Sequence, residues 1–127
     1  MVSGLARLKV RADFLRVAAT RRSAARPGLV LQAAPMPPGA QRCVAVRVGF
    51  TASRKVGNAV VRNRAKRRLR AAAAEVLARQ GTPGTDYVLI ARSGTGTRPY
   101  AQLVGDLEGA LRQVARSGRR EESRNEG

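Results

Sequence analysis

The residues best suited to chemistry in this sequence are cations, and six of them fall within the nine positions from Arg62 to Arg70. Arginine suits phosphate binding because its planar guanidinium can donate two parallel hydrogen bonds to one oxyanion. No acidic residue lies between Asp13 and Glu75, so repulsion among these cations has no local compensation. The segment therefore indicates a surface that binds a polyanion.

Uncharged polar residues and further cations extend this segment on its N-terminal side. Asn63 stands among the cations, and its amide can both donate and accept hydrogen bonds, as recognition of a sugar or base edge requires. Asn58 is a good helix N-cap. The candidate polyanion-binding residues are Arg54, Lys55, Asn58, Arg62, Asn63, Arg64, Lys66, Arg67, Arg68 and Arg70.

The composition excludes several kinds of catalytic site. The 127 residues include 25 Lys and Arg but only 8 Asp and Glu, for a formal net charge of +17. There is no His and one Cys, which excludes histidine-dependent nucleophiles, histidine metal ligands and an internal disulfide. Residues 1–74 hold 17 cations and a single acid, whereas residues 75–127 hold 8 cations and 7 acids. This asymmetry favours nucleic acid, an anionic membrane surface or an acidic protein as partner.

Hydrophobic periodicity predicts an α/β protein, an α+β two-layer sandwich whose single sheet of about four strands packs against helices. The predicted order is helix, strand, strand, helix, strand, helix. The predicted helices span residues 11–20, 59–79 and about 100–116, and the predicted strands span residues 29–33, 42–51 and 87–91. Residues 117–127 are polar and predict a disordered tail after a domain of residues 1–116.

The helix predicted over residues 59–79 has two different faces. Val61, Ala65, Leu69, Ala72 and Val76 form an apolar stripe at helical spacing. The opposite arc is polar and consists of Asn63, Lys66, Arg67 and Arg70. This arrangement predicts a helix that docks on the sheet and exposes a cationic ridge.

The run from Arg47 to Arg70 resembles the bacterial ribonuclease P protein family. It contains that family's Val-Gly strand, then Ser-Arg-Lys, then Gly-Asn-Ala-Val and the Arg-Asn-Arg helix, without a gap. Weaker matches at Asp13-Phe14, residues 86–92 and residues 100–114 extend the resemblance over about residues 7–116. The resemblance implies a fold similar to the second domain of ribosomal protein S5.

The resemblance also implies a function, namely that of a protein subunit assisting a catalytic RNA in removing the 5′ leader of precursor tRNA. The RNA would perform the hydrolysis with its own bound Mg²⁺, so no catalytic residue or metal site is expected in the protein. The candidate polyanion-binding residues would contact RNA. The family's leader cleft would involve Phe14, Arg16, Gln32 and Arg47, with weak stacking because Ala18 and Gln32 stand where many members have aromatics.

Other functions fit the composition but not the run from Ser53 to Arg70. The main alternative is another basic RNA-binding protein, such as a ribosomal protein or an RNA chaperone. A DNA-binding module lacks support because strands precede the basic helix. A membrane-surface helix would need more large apolar residues than this one carries. We therefore expect a cytoplasmic protein with catalytic RNA and precursor tRNA as partners, and neither DNA nor membrane.

Overall fold

The computed structural model describes residues 5–39 and 46–126, with side chains as far as Arg116. In this part of the chain, three helices surround one five-stranded sheet. In chain order the elements are β1 (Leu5–Arg7), α1 (Arg11–Ala19), β2 (Ser23–Arg26), β3 (Leu29–Pro35), β4 (Val46–Thr51), a 3-10 turn (Arg54–Val56), α2 (Ala59–Gln80), β5 (Thr85–Ala91) and α3 (Tyr100–Glu126).

The sheet is mixed, and its strand order is β1-β4-β5-β3-β2. Strands β1, β4 and β5 run parallel, whereas β5 with β3 and β3 with β2 pair antiparallel. The longer strands lie in the centre and the two shortest strands form the edges. Short edge strands limit the length of unpaired backbone that could pair with another chain.

Helices α2 and α3 cover one face of the sheet and enclose the main core. Alternate residues of the central strands point to this face, among them Leu31, Val48 and Leu89. Helix α2 contributes a buried stripe of mostly small residues, which lets its backbone lie close to the sheet. This stripe consists of Ala65, Leu69, Ala72, Ala73, Val76 and Leu77.

Helix α1 covers only part of the opposite face. Val17 packs there with Ala34 and Val88 in a smaller cluster, and Phe14 packs against it. The ring of Phe14 lies so close to β4 that a Cβ at Gly49 would be 2.5 Å from its Cε1 and Cζ atoms. The absence of a side chain at Gly49 therefore sets how near α1 can approach the sheet.

The predicted fold class is confirmed, but two strands were missed. Strand β2 reads Ser-Ala-Ala-Arg and has no β-branched or aromatic residue, so its composition does not indicate a strand. It pairs because the Pro27-Gly28 turn brings it back along β3, with Arg26 opposite Leu29. Strand β1 has only three residues, too few for periodicity to be visible.

Two further boundaries differ from the prediction. Helix α3 continues to Glu126, whereas the sequence predicts its end at about Arg116. Its last ten residues are rich in Arg and Glu, which are strong helix formers even where no apolar stripe exists. The strand predicted over residues 42–51 is observed from Val46, and its first residues lie outside the described part of the chain.

Substituting Gly49 by alanine tests the contact between α1 and the sheet. The added methyl would displace the Phe14 ring, so we expect the free energy of unfolding to fall by about 1–3 kcal/mol. Gly105→Ala is the matched control, because nothing lies within 4 Å of a Cβ at this exposed helical position. The control should stabilise by up to ~1 kcal/mol. Urea denaturation measures both, and equal effects would contradict the proposed contact.

Candidate nucleic-acid interface

The basic helix begins at a well-defined cap. Oδ1 of Asn58 accepts a hydrogen bond from the backbone N–H of Val61 at 3.0 Å, which confirms Asn58 as the N-cap. The preceding Gly57 has φ +150°, and a Cβ there would lie 2.8 Å from Val61 Cγ1. This tight turn places the exposed Arg54 and Lys55 next to the first turn of α2.

The predicted cationic ridge is present on α2. Asn63, Arg64, Arg67 and Arg70 are exposed, and Arg62, Lys66 and Arg68 are half-buried. Among the described residues, none of the ridge cations forms an ion pair. We call one group of residues the α2 ridge: Arg62, Asn63, Arg64, Lys66, Arg67 and Arg70, together with Arg54 and Lys55 of the preceding turn.

Arg68 makes hydrogen bonds inside the protein that the sequence does not predict. Its Nη1 donates to the backbone carbonyl of Thr95, and its Nη2 donates to the carbonyl of Arg98. The side chain thus joins α2 to the 92–98 loop. This loop is also fixed by the buried Thr95, whose hydroxyl donates to the carbonyl of Gly28 at 2.6 Å. We therefore leave Arg68 out of the α2 ridge, and its contact with RNA stays a prediction.

A pocket of about 690 Å³ opens beside the ridge, where α2 faces the start of α3. It is lined by Arg64, Arg67, Arg68, Ala71 and Tyr100. The hydroxyl of Tyr100 donates to Glu75 Oε2 at 2.7 Å. Burial and this hydrogen bond raise the pKa of Tyr100 above its ordinary value, so the phenol remains neutral at physiological pH.

Arg16 and Arg47, both predicted to contact the leader, are held by carboxylates. Arg47 binds Asp86 through two hydrogen bonds of 2.8 and 2.7 Å, and Arg16 donates to the same carboxylate. Asp86 is completely buried, and Asp13 lies 3.5 Å from Arg16. The pKa of Arg47 is raised, chiefly by its hydrogen bond to Asp86. These two cations are therefore largely neutralised inside the protein.

Part of the α1-side sheet face remains open. Neighbouring strands place Thr51, Ile90, Val30 and Ala25 in one row across the sheet. The first three are half-buried and the last is exposed. We call this row the open sheet row. It continues from β4 directly into the turn that carries Arg54.

The other predicted cleft residues, Phe14 and Gln32, lie beside the open sheet row. Gln32 is half-buried and stands opposite Val88 in the neighbouring row, and Phe14 packs on Gly49 of that row. Arg47 lies only two residues before Gly49 on β4, about 7 Å away at ~3.3 Å per residue. All four predicted cleft residues therefore lie on the α1 side of the sheet, and Arg16 and Arg47 differ from the other two because Asp86 binds both.

The described residues contain no group of three or more His, Cys, Asp or Glu side chains placed to hold a metal ion. No helix among them is both long enough and apolar enough to cross a bilayer.

Comparisons with known proteins agree with one another. The family model for ribonuclease P matches residues 3–115. The ribonuclease P protein component of Paramagnetospirillum magneticum is 55% identical over 114 residues, covering 90% of this chain and 86% of that protein. The corresponding protein of Ruegeria pomeroyi is 51% identical, covering 88% of each.

Solved structures show the same fold. The ribonuclease P protein of Staphylococcus aureus superposes with a TM-score of 0.67 at 28% identity, covering 84% of this chain and 92% of that chain. The protein from Thermotoga maritima gives a TM-score of 0.66 at 25% identity, covering 84% and 94%.

An α/β fold that exposes a ridge of arginines without acidic partners on one helix is typical of a basic protein that binds a polyanion. The family match and the identity to several relatives make the assignment specific. The chain belongs to the bacterial ribonuclease P protein family. Its function is accordingly that of a protein subunit of this endoribonuclease in the 5′ maturation of tRNA.

Three features of this part of the molecule were not predicted from the sequence. Tyr100 was predicted only as part of a helix, and a single aromatic residue at a helix start does not indicate which residues it will face. The open sheet row could not be found because it combines four strands, one of them unpredicted. The carboxylate that holds Arg47 is distant in sequence, and only the β4–β5 register brings Asp86 beside it.

The separate role of Arg68 can be tested by stability. Arg68→Ala would leave two loop carbonyls without their donor, so we expect the free energy of unfolding to fall by about 1–3 kcal/mol. Arg67→Ala is the control, since the side chain is exposed and the change should stay within ~0.5 kcal/mol. Thermal unfolding of both variants distinguishes them. Equal stability of the two would show that the Arg68 hydrogen bonds contribute nothing.

Proposed function

We propose that the α2 ridge binds the catalytic RNA of ribonuclease P and that the open sheet row, with Phe14 and Gln32 at its border, takes the single-stranded 5′ leader of precursor tRNA. The protein would act in the cytoplasm. Its contribution is to hold two polyanions together at close range, and the RNA performs the bond cleavage.

The observation that carries this proposal is the set of cations without acidic partners on one side of α2. Each cation that contacts a phosphate releases condensed counterions, which favours association. Cations that are already paired with carboxylates would release fewer counterions. Arg64 and Arg67 are exposed and have no ion-pair or hydrogen-bond partner among the described residues, so they are ready to bind phosphate.

The open sheet row suits a single strand for a different reason. It offers a shallow, mostly apolar surface with hydrogen-bonding capacity at Thr51 and Gln32 and an aromatic border at Phe14. Unpaired bases stack on such surfaces, whereas duplex bases cannot reach them. Because the row runs into the turn of Arg54 and Lys55, a leader lying on it would pass directly to the α2 ridge. Arg16 and Arg47 lie beside Phe14 on the same face, but Asp86 already binds both, so the proposed groove does not depend on them.

Mg²⁺ enters the proposal only through the RNA subunit. A metal-bound water supplies the nucleophile in metal-assisted phosphodiester hydrolysis. The protein's cations would lower the repulsion between the RNA subunit and the precursor, which reduces the Mg²⁺ concentration needed for assembly.

Reconstitution is the direct test. The full-length protein is mixed with a bacterial ribonuclease P RNA and a precursor tRNA at a Mg²⁺ concentration where the RNA alone is nearly inactive. We expect accurate 5′ cleavage only when the protein is present. Tight RNA binding without stimulated cleavage would contradict the proposal and favour a general RNA-binding or chaperone role.

The salt dependence of RNA binding tests the ridge. Arg62→Ala, Lys66→Ala and Arg67→Ala should each weaken binding to the catalytic RNA and lower the slope of log K against log salt by about one. Arg112→Ala is the matched control because it removes one exposed cation from α3, outside the α2 ridge. Slopes that are unchanged in all three ridge variants would show that the ridge assignment is wrong.

A further inference from the structure

The pocket beside the α2 ridge has features that plain phosphate binding does not require. It is an open depression of about 690 Å³, and four of its five lining residues are exposed. A ridge of arginines on a single helix would contact only the phosphates of an RNA backbone. Here the start of α3 adds a second wall, and that wall presents the aromatic ring of Tyr100.

The two ends of this pocket differ in chemistry. One end carries Arg64 and Arg67, which have no partner among the described residues. The other end has the small Ala71 and the ring of Tyr100, with Glu75 beyond it. An anionic group is therefore favoured at the arginine end and opposed by Glu75 at the tyrosine end.

Tyr100 is held as a rigid surface. Its side chain is 39% exposed, and its hydroxyl is tied to Glu75 at 2.7 Å. Anchoring the hydroxyl restricts the side-chain rotamers of Tyr100 before a ligand binds, which lowers the entropy lost on binding. Arg68, the third arginine of the pocket, is occupied by loop carbonyls and stabilises the wall.

We propose that this pocket binds one unpaired ribonucleotide, with its phosphate on Arg64 and Arg67 and its base stacked on Tyr100. The inference rests on the proposed RNA-binding function and adds that one nucleotide of the bound RNA is taken out of its helical stack. A base within a duplex cannot occupy the pocket, because both of its faces are covered by neighbouring bases. The protein would thus read an unpaired position in the RNA.

The sequence itself provides a clean spectroscopic test. The chain has only two tyrosines and no tryptophan, and Tyr87 is 2% exposed. In the full-length protein with labelled tyrosine rings, adding a short single-stranded oligoadenylate should shift the Tyr100 ring signals upfield and leave those of Tyr87 in place. Inorganic tripolyphosphate, which has no base, should leave the Tyr100 signals unmoved.

Two results would overturn the proposal. The first is that oligoadenylate binds without moving the Tyr100 signals. The second is that tripolyphosphate moves them as far as oligoadenylate does, which would show that the pocket takes phosphate alone.

Variants separate stacking from charge. Tyr100→Ala should weaken oligoadenylate binding about tenfold, because one stacked base is lost. It should leave the salt slope unchanged, because no phosphate contact is lost. Tyr100→Phe keeps the ring and should retain most of the affinity. A parallel loss in Tyr100→Phe, or no loss in Tyr100→Ala, would contradict stacking.

Filling the pocket gives an independent check. Ala71→Leu occupies the space beside Tyr100 without changing charge and should reduce oligoadenylate affinity several-fold. Ala78→Leu is the matched control, since it makes the same change at an exposed position of α2 outside the pocket. Equal affinities of the two variants would overturn the inference.

Failure of this inference can be told from failure of the proposed function. If ridge variants flatten the salt slope while the Tyr100 signals stay in place, the RNA-binding function stands and the nucleotide pocket does not. If the ridge variants leave the slope unchanged, the ridge assignment itself fails and the pocket proposal fails with it.

Discussion

The docking of α2 on the sheet is the constraint on which the rest of this structure depends. On the polar side of α2, residues of like charge lie four positions apart, such as Arg62 with Lys66 and Arg64 with Arg68. Each such pair destabilises an isolated helix by ~0.2–0.5 kcal/mol. Its buried side contains Leu69 and Leu77, and full burial of each such side chain contributes ~1.5–3 kcal/mol. The apolar stripe therefore outweighs the repulsion, and the helix forms without neutralising its own charge.

The acidic residues of the folded domain are used elsewhere, which keeps the α2 ridge unpaired. Where α1 meets the sheet, Asp86 and Asp13 bind two arginines, Arg16 and Arg47. Asp106 binds Arg98. Glu75 accepts from Tyr100, and Glu108 accepts from Gln80. Because none of these carboxylates forms an ion pair with a cation of the α2 ridge, the positive potential of that surface persists in the folded protein. The asymmetry of charge along the sequence thus becomes an asymmetry in space.

The sequence predicted those parts of the fold that depend on local pattern. Helix α2 was placed from Ala59 to within one residue of its end, because its stripe, its Asn58 cap and the following Gly81 all agree. The edge strand β2 was missed because its pairing depends on a partner strand rather than on its own composition. The same limit applies to the site. The exposure of Arg67 could be inferred from helical spacing, but the occupation of Arg47 could not, since Asp86 is distant in sequence and reaches it only through strand register.

Residue type alone does not separate a binding cation from a structural one, and Arg68 shows why. It belongs to the same basic run as Arg67, yet its guanidinium reaches two carbonyls of the 92–98 loop. A planar group with five donors can satisfy two separate acceptors at once, which a lysine ammonium does less well. The same loop is fastened to the β2–β3 turn, where Asp106 accepts from Arg98 and from the backbone of Gly28. One arginine of the basic run therefore fixes the wall of the pocket in which its neighbours, Arg64 and Arg67, remain available. A rigid wall lowers the entropic cost of binding, so a structural arginine within a binding segment supports binding without touching the ligand.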